Sequence, residues 1–282
     1  MIWSMTDRWR APVGDFPPRW ATAWGDDEHG LWADLTVGEA TQRLRWIEPT
    51  GPAGFWMGSP TEERNRITDP RVREHAHRTE TEPRLVLVAE GFWLADTPCT
   101  QGFWREVMGA NPSEFAGTRG ASERPVESVT LGEVRAFIAD LEACQPHIEG
   151  RAQLPTEVQW EYAARAGSQT AYPWGDLPLA GRGTWRPDGG ATTVVRSWPP
   201  NAWGIYDMHG NVWERCTDAW RDRVTQKARG GDSGWWVLRG GSWHGAPADS
   251  RSASRLRGDS IARAPHLGFR FVLAGLRRTR NS

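Results

Sequence analysis

Between Gly167 and Val237 the hydrophobic residues do not recur at the spacing of a helix or a strand, although the stretch is rich in tryptophan, glycine and proline. The whole chain of 282 residues holds 19 Trp, 31 Gly and 20 Pro, without an apolar run long enough to cross a bilayer. Such a chain has to bury apolar surface by packing flat indoles against irregular backbone, with each indole N–H bonded to a carbonyl. We therefore predict a loop-rich fold of one large domain, with or without an appendage.

The charge balance excludes two classes of partner. The 34 basic and 35 acidic residues leave a formal net charge of −1, so the chain lacks the basic surface that binds nucleic acid or an anionic membrane. The N-terminal stretch contains no apolar core segment of the kind that a secretory signal needs. Three cysteines are too few for a disulfide scaffold and suit a reducing compartment. The sequence therefore predicts a cytoplasmic protein without nucleic-acid or membrane partners.

Local patterns predict three helices and several short strands. Each helix begins after a capping threonine, which is Thr100, Thr130 or Thr156. Gly109 and Gly167 are the expected stops of the first and the third helix. The predicted strands are residues 44–47, 55–58, 85–96 with a break at Glu90 and Gly91, 237–243 and 267–274.

The remaining segments complete the predicted domain organisation. Residues 60–81 are almost wholly polar and charged, and we predict a surface loop there. We predict that residues 1–43 form a Trp-rich N-terminal extension packed on the core. Residues 44–274 form the main domain, and residues 275–282 are a basic tail.

Nine segments follow one another in the order typical of one family. They are FWMGS (55–59), GFWLADTPCTQ (91–101), NPS (111–113), RPVESVT (124–130), LPTEVQWEYAARAG (154–167), YPWGD (172–176), NAWGIYDMHGNVWE (201–214), VLRGGSW (237–243) and LGFRF (267–271). Together they resemble the formylglycine-generating-enzyme or sulfatase-modifying-factor family. The resemblance implies an α+β fold class, namely the loop-rich C-type-lectin-like fold of the formylglycine-generating-enzyme type.

The family's founding activity oxidises a substrate cysteine with two enzyme cysteines that hold copper. The resemblance places these two positions at Gly245 and Ser250, which cannot form the thiolates that select a cuprous ion. Cys99, Cys144 and Cys216 lie elsewhere, and Cys99 is expected to be a small buried hydrophobe. The HxxxHxE iron motif of the ergothioneine-type relatives does not occur in the sequence. We therefore expect neither copper nor iron and favour a protein that is not an enzyme.

The resemblance also implies a structural calcium site. Residues 207–214 match a calcium-binding segment of the family, with side-chain oxygens at Asp207 and Glu214 and main-chain carbonyls at Gly210 and Val212. Carboxylate and carbonyl oxygens together are the ligand pattern of calcium. The alternative is that both carboxylates cap turns or pair with arginines.

The histidines are weaker metal candidates. His75 and His77 lie in a charged segment, and their rings would share one face only on a strand. His209 is expected to pack or to form a hydrogen bond. His244 and His266 could face each other, but the sequence places no third ligand beside them.

Residues 244–266 carry the remaining functional signal. The segment contains no Trp, Met, Lys, Glu or Gln, the five types that no codon with a pyrimidine in third position encodes. Diversity-generating retroelements mutate adenines in asparagine-type codons, and many of their target proteins resemble this family and vary in this segment. An ordinary loop of Arg, Ser and Ala in a GC-rich gene is the alternative.

The favoured hypothesis is a non-catalytic recognition protein that binds a protein or other macromolecular ligand through residues 244–266, alone or within a larger bacterial assembly. Arg251, Arg255 and Arg257 are expected to be structural and to bond loop carbonyls. The competing hypothesis is a metal-dependent oxidase or oxygenase of the sulfatase-modifying class with another ligand set. The predicted ligand contacts are His244, Ala246, Ala248, Asp249, Ser252, Ser254, Leu256, Gly258, Ser260, Ile261, Ala264 and His266.

Overall fold

The computed structural model describes residue 12 and residues 16–148, 152–185, 190–222 and 234–274. The strands are β1 (Ala23–Asp27), β2 (Gly30–Val37), β3 (Ala40–Ile47), β4 (Phe55–Met57), β5 (Arg84–Val86), β6 (Phe92–Ala95), β7 (Ala152–Gln153), β8 (Trp213–Ala219), β9 (Trp235–Arg239), β10 (Arg255–Asp259), β11 (Leu267–Gly268) and β12 (Val272–Ala274). The α-helices are α1 (Thr61–Asn65), α2 (Pro70–Thr79), α3 (Gln101–Met108), α4 (Leu131–Cys144) and α5 (Glu157–Arg165). None of the helices in these ranges is long and apolar enough to span a membrane.

The largest sheet carries hydrophobic core on both faces. Its six strands run antiparallel in the order β1–β2–β3–β6–β12–β7. Because side chains alternate across a strand, neighbouring residues of β12 enter different cores: Val272 packs in one and Leu273 in the other. A second sheet has the order β10–β9–β8–β11, and β4 and β5 form a two-stranded ribbon.

Aromatic rings fill the core between the six-stranded sheet and helices α3 and α4. Trp104 and Phe137 stack with ring centroids 5.2 Å apart, and Phe269 meets Phe137 edge-on at 5.2 Å. In the other core, the fully buried Trp160 of α5 donates its indole N–H to Glu214 at 2.7 Å. The aromatic rings thus fill the cores as the composition predicts, but the N–H of Trp160 bonds a carboxylate rather than the predicted backbone carbonyl.

All three predicted helices are confirmed at their capped ends. The hydroxyl of Thr100 accepts the backbone N–H of Phe103, and α3 ends at Gly109 in the left-handed conformation. Thr130 and Thr156 both form complete capping boxes. These boundaries depend on side chains within four residues, so the local sequence was sufficient to place them.

The N-terminal segment is part of the largest sheet. Strands β1 and β2 add to the edge of β3, with pairs from Trp32 opposite Arg45 to Val37 opposite Ala40. The predicted domain boundary at residue 43 therefore falls inside β3. The first residues and the basic tail at 275–282 lie outside the described residues.

The prediction of a surface loop at residues 60–81 was wrong. Two helices occupy this segment, and Asp69 caps α2 by accepting the backbone N–H of Arg71 and Val72. Glu63 and Glu80 are buried even though they are charged. They are buried because they pair with Arg251, which lies far away in the sequence.

Several strand predictions also need correction. Residues 85–96 contribute to two sheets, because β5 pairs with β4 whereas β6 pairs with β3 and β12. Residues 267–274 divide in the same way into β11 and β12, and the predicted strand 237–243 ends at Arg239. Strand β8 lies in a stretch for which no regular structure was predicted.

Candidate functional site

Residues 244–266, which we call the late segment, leave strand β9 through a tight glycine turn. Gly240 and Gly241 have φ values of 95° and 73°, in the left-handed region, and a Cβ on Gly241 would overlap the side chain of Ser250. Trp243 follows the turn, donates its indole N–H to the carbonyl of Pro265 at 2.9 Å, and meets Phe115 edge-on at 5.7 Å. The two ends of the late segment are therefore joined through Trp243.

Buried ion pairs fix the middle of the late segment. Arg251 donates to Glu63 at 2.7 Å and to both oxygens of Glu80 at 2.6 and 3.0 Å. Arg255 pairs with Glu157 at the start of α5 and donates to the carbonyl of Thr79 at 2.8 Å. Both arginines are structural, as predicted, but their main partners are carboxylates.

The same ionic network continues into α5. Arg239 donates to Glu161 and to the late-segment carbonyls of residues 252, 253 and 254. Arg165 also pairs with Glu161, at 2.8 Å. The network combines four guanidinium groups with four carboxylates, all buried, so its charges balance: Arg165, Arg239, Arg251, Arg255, Glu63, Glu80, Glu157 and Glu161.

Arg215 holds the end of the late segment and was missed by the sequence analysis. Its buried guanidinium donates to the carbonyls of Asp259, Val129 and Ala262 at 3.2, 3.1 and 2.8 Å. Burial lowers the pKa of Arg215 to about 10. Only its place in the sequence WERC could have drawn attention to Arg215. Its acceptors are backbone carbonyls, which no side-chain pattern in the sequence reveals.

The late segment presents only part of the predicted contact set to solvent. His244 is exposed, and Ile261 has 77% of its surface exposed. Ser252, Ser254 and Gly258 are buried, contrary to the exposure expected of ligand contacts. Arg239 binds the carbonyls of Ser252 and Ser254, and Gly258 packs against Leu238. The other predicted contacts are half-buried, namely Ala246, Ala248, Asp249, Leu256, Ser260, Ala264 and His266.

Arg257 differs from the other two predicted structural arginines. It is exposed and lies over the ring of Trp235, with 4.8 Å between its guanidinium carbon and the ring centroid. Because side chains alternate along a strand, Arg257 lies on the same face of β10 as Arg255, but two residues further along, where it packs on Trp235 and stays exposed. It therefore belongs to the exposed surface of the late segment.

Two histidine rings form a pair on this surface. The rings of His244 and His266 stack with centroids 5.9 Å apart and an interplanar angle of 21°. Partial burial and the neighbouring His244 lower the pKa of His266. The described parts of the chain contain no cluster of three or more His, Cys, Asp or Glu that could hold a metal ion.

The family resemblance assigns the two copper cysteines to Gly245 and Ser250. Gly245 donates its backbone N–H to Ser242, and Ser250 is fully buried against Gly241. The cysteines at positions 99 and 216 are buried elsewhere, and burial raises both thiol pKa values well above the ordinary value. A raised thiol pKa opposes the thiolate that copper binding and nucleophilic chemistry need.

The predicted calcium ligands are partly engaged with protein partners. Glu214 accepts two hydrogen bonds from Arg270 and one from Trp160, each at 2.7 Å, which leaves one lone-pair position on its Oε1. Asp207 accepts from the backbone N–H of Arg196 at 2.9 Å and from Asn211 at 3.3 Å. Burial raises the pKa of Asp207 to about 6. These residues could hold calcium only through Asp207 and a single oxygen of Glu214, with the Gly210 and Val212 carbonyls as the further predicted ligands.

The other three histidines considered as metal ligands make hydrogen bonds within the protein. His75 and His77 lie on α2; His75 contacts the carbonyl of Arg255 at 2.7 Å, and His77 contacts Asn65 at 3.0 Å. His209 contacts the carbonyl of Ser250 at 2.7 Å, and burial lowers its pKa to about 4. Each of the three contributes to packing or to loop geometry.

Known proteins of similar sequence include proteins named as formylglycine-generating enzymes and a relative named as inactive. A formylglycine-generating enzyme of Thermomonospora curvata is 36% identical over 224 residues, which is 70% of this chain and 69% of that protein. The "inactive C-alpha-formylglycine-generating enzyme 2" of Bos taurus is 32% identical over 197 residues, which is 64% of this chain and 58% of that protein. The chain thus spans less than two thirds of the length of the bovine relative.

Solved structures show the same fold. Treponema denticola variable protein 1 aligns with a TM-score of 0.70 at 24% identity and covers 86% of this chain and 98% of that one. PvdO from Pseudomonas aeruginosa aligns with a TM-score of 0.62 at 24% identity, covering 91% and 99%. The predicted fold class, C-type-lectin-like of the formylglycine-generating-enzyme type, is confirmed. Residues 50–274 match the family described as "Sulfatase-modifying factor enzyme 1-like domain", and the chain belongs to that family.

Proposed function

We propose that this protein is a non-catalytic recognition protein that binds a protein or other macromolecular ligand through the exposed side of the late segment. The observation that carries the proposal is the fixed backbone beneath exposed side chains. Arg215, Arg251 and Arg255 hold this backbone from below through buried hydrogen bonds. His244 and Ile261 extend from it into solvent.

A rigid backbone with varied exposed side chains favours binding. A preorganised surface loses little conformational entropy when a partner docks, so its contacts contribute more of their gross energy to affinity. The exposed side offers an apolar side chain at Ile261, an imidazole pair at His244 and His266, and guanidinium groups at Arg257 and Arg263. This mixture suits a protein surface better than a small apolar molecule.

The residues at the copper positions argue against the oxidase hypothesis. Gly245 has no side chain, and the buried hydroxyl of Ser250 has an alkoxide state that is inaccessible at neutral pH, so neither supplies a soft ligand. The name of the bovine relative indicates that the family includes a member without the activity. Both points support recognition as the function of this scaffold here.

The proposal includes diversification of the late segment by a retroelement. The restricted composition of residues 244–266 supports it, and a protein named as a variable protein has the same fold. Sequencing this locus in sibling strains tests it. Changes confined to exposed positions such as His244 and Ile261 are expected, whereas a segment identical in all strains, or changes at Arg251, would contradict diversification.

A capture experiment tests the recognition surface. The variant His244→Ala/Ile261→Ser/His266→Ala removes three exposed or half-exposed groups and should retain the wild-type melting temperature. The matched control is His147→Ala/Leu87→Ser, which removes an exposed imidazole and an exposed apolar side chain elsewhere.

The readout is quantitative mass spectrometry of proteins captured from an extract of the source cells. The expected result is a partner retained by the wild type and by the control, and lost by the triple variant. Equal capture by all three proteins would show that the late segment is not the recognition surface. A formylglycine product on a model peptide would instead support the oxidase.

A further inference from the structure

A polar cavity of about 410 Å³ lies apart from the late segment. It is lined by Asp34, Thr41, Arg43, Arg45, Asp96, Arg196 and Tyr206. Four of these residues come from strands β2 and β3, before the family match begins at residue 50. The cavity is therefore built largely by strands that precede the residues matched by the family.

Two of the lining arginines are held in the same way. Arg43 donates from Nε and Nη2 to Asp34 at 2.8 and 3.0 Å, and its guanidinium carbon lies 3.7 Å from the ring centroid of Trp32. Arg196 donates from Nε and Nη2 to the fully buried Asp96 at 3.3 and 2.9 Å. Each guanidinium is thus fixed in a plane, and in each the Nη1 group is not used by the carboxylate.

The backbone at Arg196 supports a functional role for its side chain. Its φ of 62° lies in the left-handed region, which a residue with a Cβ seldom adopts. The backbone N–H of Arg196 donates to Asp207 at 2.9 Å, and the N–H of Tyr206 donates to the carbonyl of Asp96 at 2.7 Å. These bonds hold a disfavoured conformation that keeps Arg196 over Asp96, and such conformations cluster at binding sites.

Several hydrogen-bond donors around the cavity are unused. Asp34 and Asp96 accept from Arg43 and Arg196, and Arg45 is paired with Asp27 at 2.6 and 2.9 Å. Within the described ranges, the Nη1 groups of Arg43 and Arg196 and the hydroxyl of Tyr206 have no partner. Fixed guanidinium groups with free N–H bonds bind oxyanions through charge-assisted hydrogen bonds.

We propose that this cavity binds a small molecule with a carboxylate or phosphate group, which accepts hydrogen bonds from Arg43, Arg196 and Tyr206. Asp34 and Asp96 hold the guanidinium groups in place and balance their charge. One oxyanion can therefore accept the hydrogen bonds that the remaining donors offer. The volume exceeds that of a bare oxyanion and falls in the range of small-molecule sites. The ligand is therefore a small organic acid or phosphate ester.

Calorimetric titration tests the proposal with two probes, sodium succinate and inorganic phosphate, against sodium chloride at equal ionic strength. The expected result is saturable binding of at least one probe but not of chloride, and the tighter probe identifies the oxyanion class. Arg43→Gln should weaken binding about tenfold or more, and Tyr206→Phe several-fold, because each removes one hydrogen bond to a charged group.

The control variant is Arg66→Gln, which breaks an exposed arginine–aspartate pair with Asp176 away from the cavity. It should bind both probes as the wild type does. Tyr206→Phe removes one hydroxyl only, so it remains informative if Arg43→Gln does not fold. Three results would each overturn the proposal: no saturable binding of either probe, wild-type affinity in Tyr206→Phe and every folded Arg43 variant, or equal weakening in Arg66→Gln.

Discussion

Replacing Arg251 by methionine should destabilise the protein strongly, although the sequence of the late segment is typical of a surface loop. The side chain is buried and donates to Glu63, to Glu80 and to the carbonyl of Ala248. Its loss leaves two buried carboxylates without their cation, and breaking a buried pair in this way costs about 3–5 kcal/mol. For a chain of this size we expect the melting temperature to fall by about 10 °C.

The pKa of Glu80 gives a second measure of the same interaction. Burial alone would raise this pKa, but Arg251 and Ser59 outweigh burial and hold it at about 2, below its ordinary value of 4.5. A shift of this size corresponds to about 3 kcal/mol of folding stability. Because the folded-state pKa is depressed, this stability is present above pH 4.5 and is lost as the pH falls towards 2. The difference between wild type and Arg251→Met should therefore be largest near neutral pH and shrink below pH 4.5.

Urea denaturation at neutral and acidic pH measures both effects. Arg257→Met is the matched control, because it removes an exposed arginine from the same segment and should change stability by about 0.5 kcal/mol or less. Additional Glu63→Gln and Glu80→Gln changes should restore part of the lost stability by removing the unpaired charges. Equal losses in Arg251→Met and Arg257→Met, or a loss independent of pH, would refute the structural role of Arg251.

Three further predictions follow from the core, the calcium segment and the missing thiols. Phe269→Ala should cost about 3–5 kcal/mol in a melting experiment, because the fully buried ring packs against Phe137; a cost typical of exposed positions would contradict this packing. Millimolar calcium should raise the melting temperature by mass action, magnesium should not, and Asp207→Ala should abolish the increase; an increase that survives the substitution would place the ion elsewhere. A CxPxR-type peptide incubated with the protein, copper and oxygen should keep its cysteine, since Gly245 and Ser250 offer no thiolate; a copper-dependent mass change would contradict the assignment of these positions.

The sequence predicts those parts of the structure that depend on near neighbours. The capping boxes at Thr130 and Thr156 need only residues within one helical turn, and the sequence placed the start of both helices correctly. Structural roles for Arg251 and Arg255 were also expected, although with loop carbonyls rather than carboxylates as their main partners. The helix starts could be predicted from the sequence because a capping motif determines the local backbone geometry by itself.

The errors arose where distant residues satisfy buried charge. The segment 60–81 resembles a solvated loop because its partner Arg251 is 171 residues away from Glu80 and 188 away from Glu63. The burial of Ser252 and Ser254 has the same origin, since Arg239 binds their carbonyls from a neighbouring strand. The proposed oxyanion cavity was missed because Arg43 on β3 and Arg196 in a distant turn come together only in the folded chain. Local periodicity contains no information about such pairings.

The position of β12 governs the order in which the chain can acquire its structure during synthesis. This strand pairs with β6 on one side and with β7 on the other, so the middle of the largest sheet is supplied by residues near 272. A ribosome-bound chain can form β1, β2, β3 and β6 early, but β6 then presents an open edge until translation passes residue 274. Open edges recruit other strands, and long-range pairings form slowly. A chain arrested or truncated before Val272 would therefore be a substrate for chaperones, or would aggregate, even though all five described α-helices are already encoded.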